Sequence, residues 1–202
     1  MIVLVVDNLS PYTTDILSCL EKLKTNYTYI KFHELKDYKV SSYEKVILSG
    51  RSKPSRDINI ANSKIIRDCN LLGTHMLGIC YGAEIMALTL GGTICKMENP
   101  VREMSRVLLS KSPPAGSWFQ KKKSLYVYES HAYCVARIPE GFESIGRSKY
   151  CKNEIFIDFK NKLVGVQFHP EKSGDAGLKL YDNFVSLVGR APVEPVAESA
   201  RV

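Results

Sequence analysis

Leu77-Gly78-Ile79-Cys80-Tyr81-Gly82 is the stretch on which the reading of this chain turns. It follows the apolar run from His75 and leads into Ala83-Glu84-Ile85-Met86-Ala87-Leu88-Thr89-Leu90, a helix-like segment that stops at Gly91-Gly92. Small residues two places before and two places after a nucleophile let the backbone turn sharply from strand to helix. The side chain between them is pushed out at a strained corner, where the helix N-terminus favours an anion. For a cysteine that means more thiolate, the reactive form. A free cysteine taken alone is more often a small buried hydrophobe; the flanking glycines and the partners below set Cys80 apart.

Outward from this corner, the N-terminal half alternates strands and helices. Ile2 to Val6 is a continuous apolar run, as expected of a strand buried on both faces of a parallel sheet. Tyr12 to Leu23 carries Ile16, Leu17, Leu20 and Leu23 at helical spacing, Tyr27 to Phe32 alternates, and Lys45 to Leu48 is a short buried strand. Ile58 to Leu71 reads as a helix with Ile65, Ile66 and Cys69 on one side. After Gly92 the period changes to two, in Arg106–Leu109, Leu125–Tyr128 and Glu154–Phe159. Leu163 to Phe168 is a further buried strand, and Leu178 to Val188 an amphipathic helix. The expectation is an α/β fold: an open, mostly parallel sheet with flanking helices and a small antiparallel addition. Residues 1–189 are expected to form one domain and 190–202, rich in Pro, Glu and Ala, a disordered tail.

Composition excludes several classes. The chain has 202 residues, 45% hydrophobic and 24% charged, which is ordinary for a soluble globular protein. No apolar run approaches the roughly 20 residues needed to span a bilayer, and the N-terminus lacks the pattern of a signal peptide. Cys19, Cys69, Cys80, Cys95, Cys134 and Cys151 show no CxxC spacing, which points to a reducing cytoplasm and away from a metal centre or disulfide scaffold. The net charge of +7 gathers at Arg51–Arg56 and at Lys121-Lys122-Lys123, with Arg102, Arg106 and Lys111 between. Such loops are usually solvated; the functional alternative is a docking face for an acidic partner or an anionic substrate. Trp118 and Phe119 beside the lysines form the sole aromatic-plus-basic cluster, without a nucleic-acid-binding motif.

In open α/β sheets chemistry collects at the carboxyl ends of the strands. Three such ends stand out: Ser49-Gly50, Cys80 and His169-Pro170-Glu171. An imidazole can serve as base for a thiol, and a carboxylate can orient that imidazole and stabilise its charged form. Pro170 between His169 and Glu171 fixes the local turn.

With Leu48-Ser49-Gly50, the Cys80 corner and Gly165-Val166-Gln167-Phe168-His169-Pro170-Glu171 together, the sequence resembles the class I (triad) glutamine amidotransferases over nearly its whole length. The resemblance implies a flavodoxin-like core and a glutaminase, with Cys80 as nucleophile, His169 as base then acid, and Glu171 as its orienter. It also implies an oxyanion hole from the backbone N–H groups of Tyr81 and Arg51. Glutamine is the implied substrate, with no cofactor and no metal. The implied ammonia acceptor is an ATP-dependent synthetase subunit, docked through the basic loops. Neither nucleic acid nor membrane is implied as a partner.

Glu129-Ser130-His131-Ala132-Tyr133, with Ile138-Pro139-Glu140-Gly141-Phe142, is most similar to the glutaminase part of GMP synthase. The opening Val6–Thr13 is closer to the anthranilate synthase glutaminase, and His169–Gly174 to that of imidazole glycerol phosphate synthase. Three positions depart from the family pattern. Gly50-Arg51-Ser52-Lys53 replaces Gly-Gly-Pro-Gly, Glu84 replaces a glutamine that contacts the substrate, and Tyr133 replaces an aspartate. By analogy Gly50, Glu84 and the segment Ser130, His131, Ala132 and Tyr133 face the bound glutamine. The alternative implied by these departures is a relative with altered substrate or weak activity, serving in a binding or regulatory role.

Overall fold

Alternating residues of the first strands feed two separate cores, and this fixes the layering. In β1 (Val3–Asp7), Val3 and Val5 pack into one apolar cluster while Leu4 and Val6 pack into the other. A strand rich in β-branched residues and apolar on both faces must be covered on both. Helices α1 (Thr13–Lys22) and α4 (Gly174–Ser186) cover one face with Ile16, Leu20, Leu180 and Phe184. Helices α2 (Arg56–Leu72) and α3 (Tyr81–Thr89) cover the other with Ile58, Ile65, Ile66, Ile85 and Met86. The structure, a computed structural model, describes residues 2–110 and 122–187, without the side chains of Lys36 and Asp37. Lys111, Trp118, Phe119, Lys121 and the expected tail at 190–202 lie outside the described residues.

The remaining strands are β2 (Tyr27–Lys31), β3 (Lys45–Leu48), β4 (His75–Ile79), β5 (Thr93–Leu109), β6 (Ser124–Arg137), β7 (Glu143–Arg147), β8 (Ile155–Asp158) and β9 (Leu163–Val166). They form one open sheet in the order β2-β1-β3-β4-β9-β8-β7-β5-β6. The first five in that order are parallel, and β8 turns the sheet antiparallel. The carboxyl ends of β3, β4 and β9 are therefore neighbours, which brings Ser49-Gly50, Cys80 and the segment before His169 together.

The mixed α/β sheet with flanking helices is as expected, but the antiparallel part is larger than the short strands read from sequence. Arg106–Leu109 and Leu125–Tyr128 are pieces of the long hairpin β5–β6. Its outer part buries little, so the side chains show no clean alternation there; the backbone ladder holds it, with a register shift between Lys96 and Val101 at Pro100. Helix α2 starts where Ser55 caps it, its side chain accepting from Ile58 N at 3.3 Å. It ends at Gly73 with φ 68°, a left-handed conformation that glycine adopts freely.

Candidate active site

The corner at Cys80 is built by close backbone approach. A Cβ on Gly78 would lie 2.6 Å from the carbonyl carbon of Gly82, and one on Gly82 would lie 2.5 Å from the carbonyl oxygen of Leu48. Only glycine at both positions lets the start of α3 settle onto β3 and β4. Between them Cys80 takes φ 51° and ψ −108°, a region sparsely populated by L-residues and costly by about 1–3 kcal/mol. Its N–H is anchored to the Val166 carbonyl at 2.8 Å, tying β4 to β9 at the turn. The thiol, 7% exposed as a residue, faces the Ser130 carbonyl with Sγ 3.7 Å from that oxygen. The N–H of Tyr81 opens α3 and has no intrahelical acceptor.

His169 follows β9 and enters a single 3-10 turn, Pro170–Lys172, which folds Glu171 back onto it. His169 Nδ1 and Glu171 Oε1 are 2.7 Å apart, and both side chains are almost fully buried. Cys80 is the other charged neighbour of the ring. Burial alone would lower the imidazole's affinity for a proton. The charges of Cys80 and Glu171 outweigh it and hold His169 well above its ordinary range. Its backbone is pinned as well: His169 N donates to the Tyr128 carbonyl at 2.8 Å, and Ser173 Oγ donates to the His169 carbonyl at 2.6 Å.

Gly50 borders this pair. A Cβ there would lie 3.2 Å from His169 Cε1 and 3.8 Å from Cys80 Cβ. Arg51 keeps negative φ, so replacing the family's second glycine costs no left-handed strain. Its guanidinium donates to Asn59 Oδ1 at 2.7 Å and lies 3.9 Å above the Tyr81 ring. Tyr81 donates to the same Asn59 oxygen at 2.9 Å. Arg51 is thus a brace between loop and helix, not a free cation in a docking loop.

Glu84 is buried in the first turn of α3, near the Gln167 side chain. Burial foremost raises its carboxyl above the ordinary range, while His131, Gln167 and Arg51 oppose this. Ser130 and Ala132 are half-buried on β6, and Tyr133 turns its ring to solvent at 42% exposure. His131 points inward with both ring nitrogens engaged: Nδ1 is 2.8 Å from the Tyr133 carbonyl and Nε2 is 3.0 Å from Glu129 Oε2. The expected substrate-facing segment therefore presents its backbone and small side chains, and the imidazole faces the interior.

Two residues at the site escaped sequence reasoning. Tyr12 sets the edge of its ring against His169, with centroids 4.8 Å apart, and Tyr181 on α4 donates to Glu171 Oε2 at 3.2 Å. Tyr12 stands just before α1 and Tyr181 on the apolar face of α4, where nothing in the spacing separates either from structural residues.

The family model for class-I glutamine amidotransferases matches residues 4–187. The chain belongs to the class I glutamine amidotransferases. As a glutamine amidotransferase it is 36% identical over 147 residues to GMP synthase [glutamine-hydrolyzing] of Bartonella quintana (strain Toulouse), covering 71% of this chain and 28% of that protein. It is 37% identical over 153 residues to the enzyme of the same description from Brucella melitensis biotype 1, covering 73% of this chain and 29% of that one. The matched part is thus less than a third of these relatives. Among solved structures, a putative GMP synthase component from Thermoplasma acidophilum superposes with TM-score 0.79 at 21% identity, covering 92% of each chain. PurLQS from Thermotoga maritima superposes with TM-score 0.75 at 17% identity, covering 91% of this chain and 97% of that one. These structural likenesses show the fold.

Proposed function

We propose that this glutamine amidotransferase hydrolyses glutamine through Cys80, His169 and Glu171 and passes the ammonia to a synthetase partner. The observation that carries the reading is the thiol at a strained helix-opening corner, against an imidazole whose far nitrogen is held by a buried carboxylate. Cys80 Sγ, its proton held by His169, attacks the side-chain amide carbon of glutamine. The tetrahedral oxyanion is held by the N–H groups of Tyr81 and Arg51, each worth roughly 3 kcal/mol in comparable sites. His169 protonates the leaving nitrogen, ammonia departs, and a γ-glutamyl thioester remains on Cys80. Water then attacks the thioester, losing a proton to His169, which returns it to the sulfur as glutamate leaves. Glu171 stabilises the imidazolium at both stages.

The most fitting partner is the ATP pyrophosphatase subunit of GMP synthase, which would place the chain in purine synthesis in the cytoplasm. The names of the related enzymes support the first part of this reading, and the six free cysteines support the compartment. Lys53, Arg56, Lys122 and Lys123 are exposed or half-exposed and available for docking, whereas Arg51 is engaged.

A second reading, a relative with altered substrate or regulatory role, is favoured by one observation: buried Glu84 stands where the family binds glutamine with an amide. Glutamate release from glutamine by the purified chain, with and without the pyrophosphatase partner, separates the two. Release that disappears in Cys80→Ala supports the glutaminase; no release under either condition supports the second reading.

A further inference from the structure

A second cluster of ionisable side chains lies in the antiparallel half of the sheet, behind the Ser130 carbonyl that faces Cys80. Glu129 and His131 project inward from β6, and Glu154 stands just before β8. Each is buried, and each offers a ligand atom within 4.8 Å of the other two. An ion bound at about 2.0–2.2 Å brings its ligand atoms to within a comparable span. His131 Nδ1 lies 2.8 Å from the Tyr133 carbonyl, an acceptor that orients the ring with Nε2 inside the cluster. Nε2 faces Glu129 Oε2 at 3.0 Å, also an acceptor, so in the empty cluster the ring pairs with the carboxylate through a second proton, which an ion would replace.

The carboxylates carry the same message. Glu129 and Glu154 are fully buried, and Glu129 Oε1 and Glu154 Oε2 have no hydrogen-bond partner among the described residues. The other oxygen of Glu154 is held by the Ser148 hydroxyl at 2.6 Å, an outer contact that orients it. An ion would displace the protons that the empty cluster holds, and the two carboxylates and neutral imidazole then left would balance a divalent charge.

We propose that Glu129, His131 and Glu154 form a site for a divalent transition-metal ion of the zinc type, clamping β6 to the β7–β8 hairpin behind the Cys80 pocket. One nitrogen and two oxygens suit zinc, cobalt or manganese. The ion acts by fixing the strand that carries Ser130. This inference does not depend on the glutaminase reading.

The test uses the untagged chain carrying Cys80→Ala, which removes the thiol paired with His169, stripped with chelator and dialysed against Zn²⁺ or Co²⁺. One equivalent of metal is expected, with a higher melting temperature and visible Co²⁺ absorption. Glu129→Gln and Glu154→Gln should each weaken binding by at least about tenfold. Ring ¹⁵N spectra of histidine-labelled protein need no substitution in the cluster. Of His33, His75, His131 and His169, the Nε2 signal of His131 should be the one that moves with Zn²⁺. Absence of stoichiometric binding, or movement of another histidine with His131 unchanged, overturns the proposal.

Discussion

The Tyr181 hydroxyl on α4 donates to Glu171 Oε2 at 3.2 Å, while Glu171 Oε1 faces His169 Nδ1 at 2.7 Å. The carboxylate is thereby held at both ends, and its orientation is set by a helix on the far side of the sheet from α3. Tyr181 is completely buried, so no water replaces the bond when the hydroxyl is removed. A hydrogen bond to a charged group is worth about 1.5–3 kcal/mol. Tyr181→Phe should lower kcat for glutamine hydrolysis by about tenfold or more with little change in KM. Its pH–rate profile should also shift, because the freed carboxylate changes the proton affinity of His169. An unchanged profile and kcat would reduce Tyr181 to a packing residue.

Glu84 supplies only acceptors when ionised, whereas an amide at that position also donates. Glu84→Gln should lower KM for glutamine by about fivefold, the worth of one hydrogen bond, leaving kcat nearly unchanged. Steady-state kinetics on the two proteins decides it. A KM that stays the same or rises removes Glu84 from glutamine recognition.

The strain at Cys80 predicts an inversion of the usual glycine penalty. At φ 51° and ψ −108° a Cβ is costly, and glycine is not. Cys80→Gly should be more stable than Cys80→Ala by about 1 kcal/mol in urea denaturation, although both lack the thiol. Equal stability, or a less stable glycine variant, would mean that the corner stores no strain.

His75 gives the chain an acid-sensitive point far from the triad. Burial foremost, then the charges of Lys45 and Lys162, opposed by Glu44, lowers its pKa to about 4 from an unfolded 6.5. Between these values the unfolded chain binds a proton that the folded chain refuses, so stability falls as pH drops from 6.5 toward 4. His75→Gln should flatten that part of the urea-midpoint curve and leave it unchanged above about pH 7. A parallel decline in the variant would assign the acid sensitivity to other groups.

The parts of the fold visible in the sequence were those with strong local causes. The apolar runs of β1, β3 and β4 need cover on both faces, and the glycines around Cys80 have steric reasons that follow from the motif itself. The outer β5–β6 hairpin was illegible because Glu98, Asn99 and Pro100 break the pattern while the backbone ladder continues past them. The three ends bearing Gly50, Cys80 and His169 could be named in advance, since parallel strand order places them side by side. Tyr12, Tyr181 and the pairing of Glu129 with Glu154 could not, because each depends on packing between segments distant in the chain. The bracing of Arg51 by Asn59 and Tyr81 likewise follows from the approach of α2 to α3, which one-dimensional charge counting does not see.

The nucleophilic role of Cys80 is tested most directly by trapping the intermediate. The chain is incubated with glutamine, with and without the pyrophosphatase proposed as its partner, quenched in acid and mapped by peptide mass spectrometry. Covalent catalysis predicts a glutamyl group on the peptide containing Cys80, removed by hydroxylamine and missing from Cys80→Ala. Continued glutamate release from Cys80→Ala, or a glutamyl group carried by Cys134 in place of Cys80, would contradict it.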